Sequence, residues 1–354
     1  MTAISIGIDI GGTFTDVVAY DHATGQQHSG KVLTTYDDPS RAVIGGLETL
    51  IADGAFAPGD VDRVVHATTL FTNALIERKG AVTGLITTAG FEDSLEIGRE
   101  RKYTLYDLNL RRPDPLVPRD RRRGVAERMN VRGQVVTPLD RAGVETAARA
   151  LVEKGVTAIA IVFLHSYANP AHEAEAAALV RRLFPDLAVT ASHEVAPEIR
   201  EYERASTTAA NAYVKPLAES YVETLAGEIG ALGVSAPLHL MISSGGLTGP
   251  AEAKRTPVQM LESGPAAGAL AAAFFGEQDA GGDVLAFDMG GTTAKLSLIE
   301  NGQPLIAYSF EAARQERFAE GSGLPIRIST VELIEIGAGG GSIAAIDSLG
   351  FMKV

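Results

Sequence analysis

The sequence predicts an α/β protein in which one strand–turn–strand unit occurs twice. Three observations carry this. Short apolar runs alternate with stretches of helical spacing along most of the chain. Two of those runs end in an Asp followed by a double glycine. Placing Ile8-Asp9-Ile10-Gly11-Gly12-Thr13 over Phe287-Asp288-Met289-Gly290-Gly291-Thr292 matches Asp, both glycines and Thr at one constant offset.

Residues 4–10 (ISIGIDI) form an apolar run closed by Gly11-Gly12, and 14–20 (FTDVVAY) a second run closed by Asp21-His22-Ala23-Thr24-Gly25. They read as strand, turn and strand, with a third strand near 31–34. Pro39–Ala52 has helical spacing and opens on Pro39-Ser40, a suitable helix entry. A strand is expected over 61–67, a helix over 69–79 ending at Gly80, and a strand over 82–88. Residues 111–138 are rich in Pro and Arg, lack periodicity, and read as a long excursion, either solvated or used for subunit contact. A helix over 140–154, a strand over 158–164, a helix over 170–183 and a strand over 188–192 complete a first lobe, residues 1–192. Residues 193–236 read as a helical connector with a break or kink at Pro216. The remainder, 237–354, opens with a strand over 237–242 and a turn over 243–246. An Ala-rich helix over 265–275 follows, then a strand over 284–288 entering the second Gly-rich turn.

Composition narrows the partners. The chain has 354 residues, of which 45% are apolar, enough to bury more than one core. Against 31 basic residues stand 44 acidic ones, and a net charge of −13 disfavours nucleic acid or an anionic membrane as partner. Any phosphate must therefore be held locally, by backbone amides and a metal ion. Cysteine is absent, which excludes disulfides, thiolate nucleophiles and Cys-ligated metal sites. The opening apolar run is too short for a secretory segment and lacks a basic flank. No run reaches the roughly 18–20 residues of a membrane span, so a cytoplasmic protein is expected.

The D-x-G-G-T pattern has a specific chemistry. Paired glycines let the backbone turn sharply and bring bare amides against phosphate oxygens that a Cβ would crowd. The hydroxyls of Thr13, Thr15, Thr292 and Thr293 add donors, while Asp9 and Asp288, each ending an incoming strand, are placed to hold Mg²⁺ through water. A single such turn is as well read as an ordinary tight hairpin; the matched pair favours a clamp on a triphosphate. Gly337, Gly339, Gly340, Gly341 and Ser342 form another Gly-rich turn, near nucleotide, at the lobe interface or with structural duties only. Ser263-Gly264-Pro265 opens the Ala-rich helix, as an anion site or a simple cap. Thr68, Thr69, Thr72 and Asn73 sit at a strand-to-helix junction, facing a cleft or capping the helix. Arg99, Arg200, Glu201 and Glu203 could orient a carbonyl or a phosphorylated intermediate, or form ion pairs between lobes. His66, His165 and His193 stand too far apart for a metal spacing and read as structural.

The paired turns resemble the phosphate-1 and phosphate-2 loops of the actin, Hsp70 and sugar-kinase superfamily, which implies actin-like, ribonuclease-H-like duplicated lobes with ATP in the cleft. Within it, GIDIGGTFTDVV, HATTLFTNALIERKGAVTGLITTAGFEDSLEIGRER, EIREYERASTTAANAYVKP, LESGPAAG, FDMGGTTAKL and IEIGAGGGSIA resemble, in order along the chain, blocks of the hydantoinase A and 5-oxoprolinase family. That family includes the ATP-binding subunits of acetone and acetophenone carboxylases. The resemblance implies Asp9, Gly11, Gly12, Thr13, Thr15 and Asp16 as the first phosphate and Mg²⁺ loop, and Asp288, Gly290, Gly291, Thr292 and Thr293 as the second. Gly339, Gly340 and Gly341 join as nucleotide-binding residues. Lys295 departs from the pattern by standing where a carboxylate is frequent, and could bind phosphate directly. Smaller departures are Ser243-Ser244-Gly245-Gly246 and Ala67. The family pattern continues past GAGGGSIA, so the second lobe is expected to be incomplete at Val354. The implied activity is ATP-dependent phosphorylation of the carbonyl oxygen of a cyclic amide (hydantoin, 5-oxoproline or lactam). Ring opening with a hydantoinase-B-like subunit in a hetero-oligomer follows. A ketone carboxylase subunit phosphorylating an enolate or bicarbonate, and a non-catalytic actin/Hsp70-like ATP switch, are the alternatives.

Overall fold

A computed structural model describes residues 4–99, 102–279, 282–291, 293–316 and 319–354. Strands β1 (Ile4–Ile10), β2 (Phe14–Asp21) and β3 (Gln27–Leu33) form an antiparallel meander. Alternation decides the buried face: Ile4, Ile6, Ile8 and Ile10 of β1 point inward together with Val17 and Ala19 of β2. Helix α1 (Pro39–Ala52) is capped by the Asp38 carboxylate, which accepts from Ser40 N, and Pro39 fits the first turn, where no amide donor is needed. Val43, Leu47 and Leu50 bury it against the meander. Strand β4 (Val61–Thr68) then pairs parallel to β1 and leads into the short helix α2 (Leu70–Ile76).

The chain next builds a second sheet from β5 (Thr83–Thr88), β6 (Arg122–Val125), β7 (Ala158–Val162) and β8 (Ala188–Ala191), in the order β8-β7-β5-β6 and parallel throughout. β5, β7 and β8 are buried along their whole length, as a parallel sheet covered on both faces requires. Helices α3 (Arg141–Val152) and α4 (Ala171–Leu183) cover one face through Val144, Leu151, Ala177 and Val180. The other is covered by Ala205, Ala209 and Ala212 of α5 (Glu201–Ala231).

Two expectations need correction here. The excursion over 111–138 contributes β6, an edge strand of this sheet. Its arginine-rich sequence hid it, because Arg122 is buried with Nε donating to Val117 O (2.8 Å) and Nη1 to Glu92 O (3.3 Å). Pro216 does not end the connecting helix, and α5 runs 31 residues through it. Val214 and Ala218 on either side are fully buried, so packing offsets the hydrogen bond that the proline removes and the helix continues.

From α5 the chain returns to the first sheet as β9 (Leu238–Met241), parallel to β4, with β10 (Leu247–Thr248) at its edge. The order β3-β2-β1-β4-β9, with only β2 reversed, is the ribonuclease-H-like arrangement of an actin-like lobe. Helix α6 (Ser263–Asp279) leads to a third sheet, where β11 (Val284–Met289) pairs antiparallel with β12 (Ala294–Glu300). Beyond come β13 (Gln303–Pro304) and, after the hairpin of β14 (Phe310–Ala312) and β15 (Leu324–Ile326), β16 (Ile334–Ile336). Both β13 and β16 pair with β12.

Candidate functional site: two glycine hairpins across a crevice

The two D-x-G-G units fold as equivalent hairpins. In the first, Asp9 stands opposite Asp16 and Ile10 opposite Thr15, and Gly11 N donates to Phe14 O at 3.0 Å. In the second, Asp288 stands opposite Lys295 and Met289 opposite Ala294, and Gly290 N donates to Thr293 O at 2.9 Å. The turns face each other: a Cβ on Gly291 would lie 3.8 Å from Thr13 Oγ1. A Cβ on Gly12 would meet nothing within 4 Å, so this glycine borders open space. Thr292 lies outside the described residues.

Asp9 is the electrostatic centre. Asp9 keeps contact with solvent, while protein atoms surround much of its carboxylate. That desolvation, then the like charges of Asp16 and Asp288, push its pKa up to about 6, against a smaller opposing pull from Lys31. The Asp16 carboxylate is itself held by Lys31 Nζ at 2.8 Å. The start of α6 abuts Asp9, since a Cβ on Gly264 would sit 3.2 Å from Asp9 Oδ1. Ser263 pins that start to β4, its hydroxyl accepting from Thr68 N and donating to Thr68 O, both at 3.0 Å.

Other residues singled out from the sequence brace the site from behind. Thr15 is fully buried and its hydroxyl meets Thr34 Oγ1 (3.1 Å), which in turn donates to Gly11 O (3.0 Å). It supports the first turn and does not face the crevice. The amides of Gly340 and Gly341 donate to Gly290 O (2.9 Å) and Gly291 O (3.0 Å), so they are engaged by the second turn instead of standing free for phosphate. A Cβ on Gly341 would lie 3.2 Å from Gly291 O, which explains the glycine there. Gly339 N donates to Ser342 Oγ at 3.0 Å. Thr69 donates to Ile10 O (3.1 Å) and Thr72 to Leu261 O, tying β4 and α2 to their neighbours. His66 meets the Tyr221 hydroxyl inside the core and His193 meets Glu173; they do not converge.

One side chain that sequence reasoning passed over stands out. Glu262 is buried, and Lys295 pairs with it, Nζ to Oε2 at 2.5 Å. Burial raises the Glu262 pKa, with Lys295 pulling the other way. The ammonium expected to meet phosphate is therefore paired with a carboxylate. The acid was in view within LESGPAAG, immediately before α6, but nothing local named its partner.

What this arrangement can do follows from its charges. Asp9, Asp16 and Asp288 crowd negative charge beside two turns of bare backbone, with Lys31 the countercharge that bears on Asp9. A hydrated divalent cation would relieve that repulsion, and magnesium takes one or two carboxylates in this manner. The residues present thus fit such an ion.

Comparison with known proteins identifies the family. The sequence profile of the hydantoinase/oxoprolinase N-terminal region matches residues 5–184, and that of hydantoinase/oxoprolinase matches 204–354. An uncharacterized protein of Methanocaldococcus jannaschii is 40% identical over 99% of this chain and 52% of its own. The caprolactamase subunit alpha of Pseudomonas jessenii is 36% identical over 99% of this chain and 50% of its own. The crystal structure of that ATP-dependent caprolactamase superposes with a TM-score of 0.85 at 35% identity, covering 98% of this chain and 50% of the other. Nucleotide-free acetone carboxylase superposes with a TM-score of 0.84 at 27% identity, covering all of this chain and 51% of the other. The chain thus spans about half the length of each of these relatives. It belongs to the hydantoinase/oxoprolinase family.

Proposed function

We propose that this chain is the ATP-binding part of a cytoplasmic enzyme that phosphorylates the carbonyl oxygen of a cyclic amide, preparing the ring for opening. The observation that carries this reading is the pair of facing hairpins, with Gly291 against Thr13 and the charge of Asp288 acting on Asp9. The relatives support it: one is named an ATP-dependent caprolactamase, and it stands closer in sequence than acetone carboxylase does. The acetone carboxylase likeness supports a second reading, in which the acceptor is a ketone enolate or bicarbonate. Relatives named as alpha and gamma subunits support a hetero-oligomer, with a hydantoinase-B-like partner completing the reaction.

Bound Mg²⁺ would neutralise charge on the terminal phosphates. Asp9 and Asp288 would hold it, and the bare backbone at Gly12 and Gly291 would let phosphate oxygens approach closely. Thr13 adds a hydroxyl donor. Asp16 and Lys31 fix the first turn, and Gly340 and Gly341 fix the second, so the donors are oriented before substrate arrives.

The test is substrate-dependent ATP turnover, with the partner subunit present, on ε-caprolactam, 5-oxoproline, N-methylhydantoin, acetone and acetophenone. Asp9→Asn and Asp288→Asn each abolish turnover with the fold intact, and wild-type rates in both would refute the clamp. Turnover on ketones alone would select the second reading.

A further inference from the structure

We infer that a second cavity, between the start of α5 and the β14–β15 hairpin, binds a small neutral ring bearing a carbonyl, a lactam or cyclic ketone, in preference to a carboxylate. Its volume is about 190 Å³, more than the roughly 150 Å³ that suffices to take up benzene in an apolar cavity. Leu95, Leu116, Ala209, Leu324 and Pro325 give it apolar walls suited to ring methylenes.

Two hydroxyls supply the polar edge. Tyr202 and Ser206 lie one turn apart on α5, hence on one face, and both line the cavity. Their neighbours Thr207 and Thr208 donate back to Glu203 O and Arg204 O, satisfying themselves within the helix. Neither Tyr202 nor Ser206 has a hydrogen-bond partner among the described residues, although Ser206 is only 4% exposed. Neither oxygen is among the buried atoms left without a partner, so both hydroxyls open into the cavity, where a ligand carbonyl oxygen can accept from them. Gly98, at φ +59°, keeps the wall open: a Cβ there would press on Arg112 Nη1 at 3.0 Å and on the Tyr202 ring at 3.4 Å.

Charge selects the ligand class. Two guanidiniums, Arg99 and Arg112, line the cavity beside four carboxylates. Arg99 Nε is held by buried Glu203 at 2.7 Å, and Arg112 Nη1 donates to Glu96 O at 3.2 Å. Of the carboxylates, Glu311 pairs with Arg314 at 3.2 Å and Glu320 approaches Arg99 at 3.9 Å. An incoming anion meets a net negative lining whose arginines are already engaged, whereas a neutral carbonyl meets two donors.

Binding here names the carbonyl compound that the phosphoryl-transfer reading leaves open, and rests on that reading for its catalytic meaning. The measurement omits nucleotide, so failure of one leaves the other intact. Isothermal titration of the purified protein with ε-caprolactam, cyclohexanone and 5-oxoproline should give one saturable site for the first two, with 5-oxoproline about tenfold weaker or more. Tyr202→Phe and Ser206→Ala, which change no packing volume of consequence, should each weaken caprolactam about fivefold at unchanged melting temperature. Glu320→Lys, at a side chain 69% exposed, should narrow the discrimination against 5-oxoproline. Absence of saturable caprolactam binding, indifference to both hydroxyl variants, or 5-oxoproline binding as tightly as caprolactam would each overturn the assignment.

Discussion

Asp16→Asn should lower the pH at which Asp9 releases its proton. In the wild type the Asp9 pKa rises from 3.8 to about 6, with Asp16 the largest charge contributor after desolvation. At about 1.4 kcal/mol per unit this rise corresponds to about 3 kcal/mol, and solvent on the open side of Asp9 screens it to about 1 kcal/mol. The folded protein holds this proton more tightly than the unfolded chain does. Stability is therefore fully present below the unfolded pKa of 3.8 and is lost as pH rises through about 6. In metal-free protein, carboxyl-carbon NMR should show Asp9 titrating near 6, and urea midpoints should fall across that window. Asp16→Asn should move the inflection down and flatten the fall; Asp288→Asn should do so less, because its contribution is the smaller. An Asp9 inflection near 4 in the wild type, or one unmoved in Asp16→Asn, would refute the account.

Further outcomes follow from packing. Gly12→Val has room for its side chain, so the melting temperature should hold while Mg-ATP affinity, read by titration calorimetry, collapses; retained affinity would contradict the loop's role. Lys295→Met leaves Glu262 buried without its countercharge and should cost about 3–5 kcal/mol in urea unfolding, with Glu262→Gln added to it recovering much of the loss. In Gly80→Ala the new Cβ would run into the Tyr213 ring, which is buried in the core. A loss of about 1–3 kcal/mol is expected from the overpacking.

The hairpins were legible in the sequence because their determinants are local: Asp, two glycines and the flanking apolar alternation fix strand, turn and register together. Thr15 shows a signal left unused. It shares the inward face of β2 with Val17 and Ala19, so alternation alone places it behind the turn. Glu262 and Lys295 were not legible as a pair, since 262 precedes α6 and 295 follows β11, and only the folding of the second hairpin onto the start of α6 joins them. The contacts of Gly340 and Gly341 were out of sight for a similar reason, their acceptors being carbonyls some 50 residues earlier. β6 was hidden by arginines whose burial depends on carbonyls elsewhere, and the return of β9 to the first sheet spans the whole second one.

The duplicated hairpins differ in sign at matching positions, Asp16 in one and Lys295 in the other. A perfect repeat would present the same face to either end of a ligand lying between its halves, and the ligand could enter in two orientations. With one residue exchanged, the crevice acquires a direction, so a molecule with unlike ends has a single favoured way to lie in it.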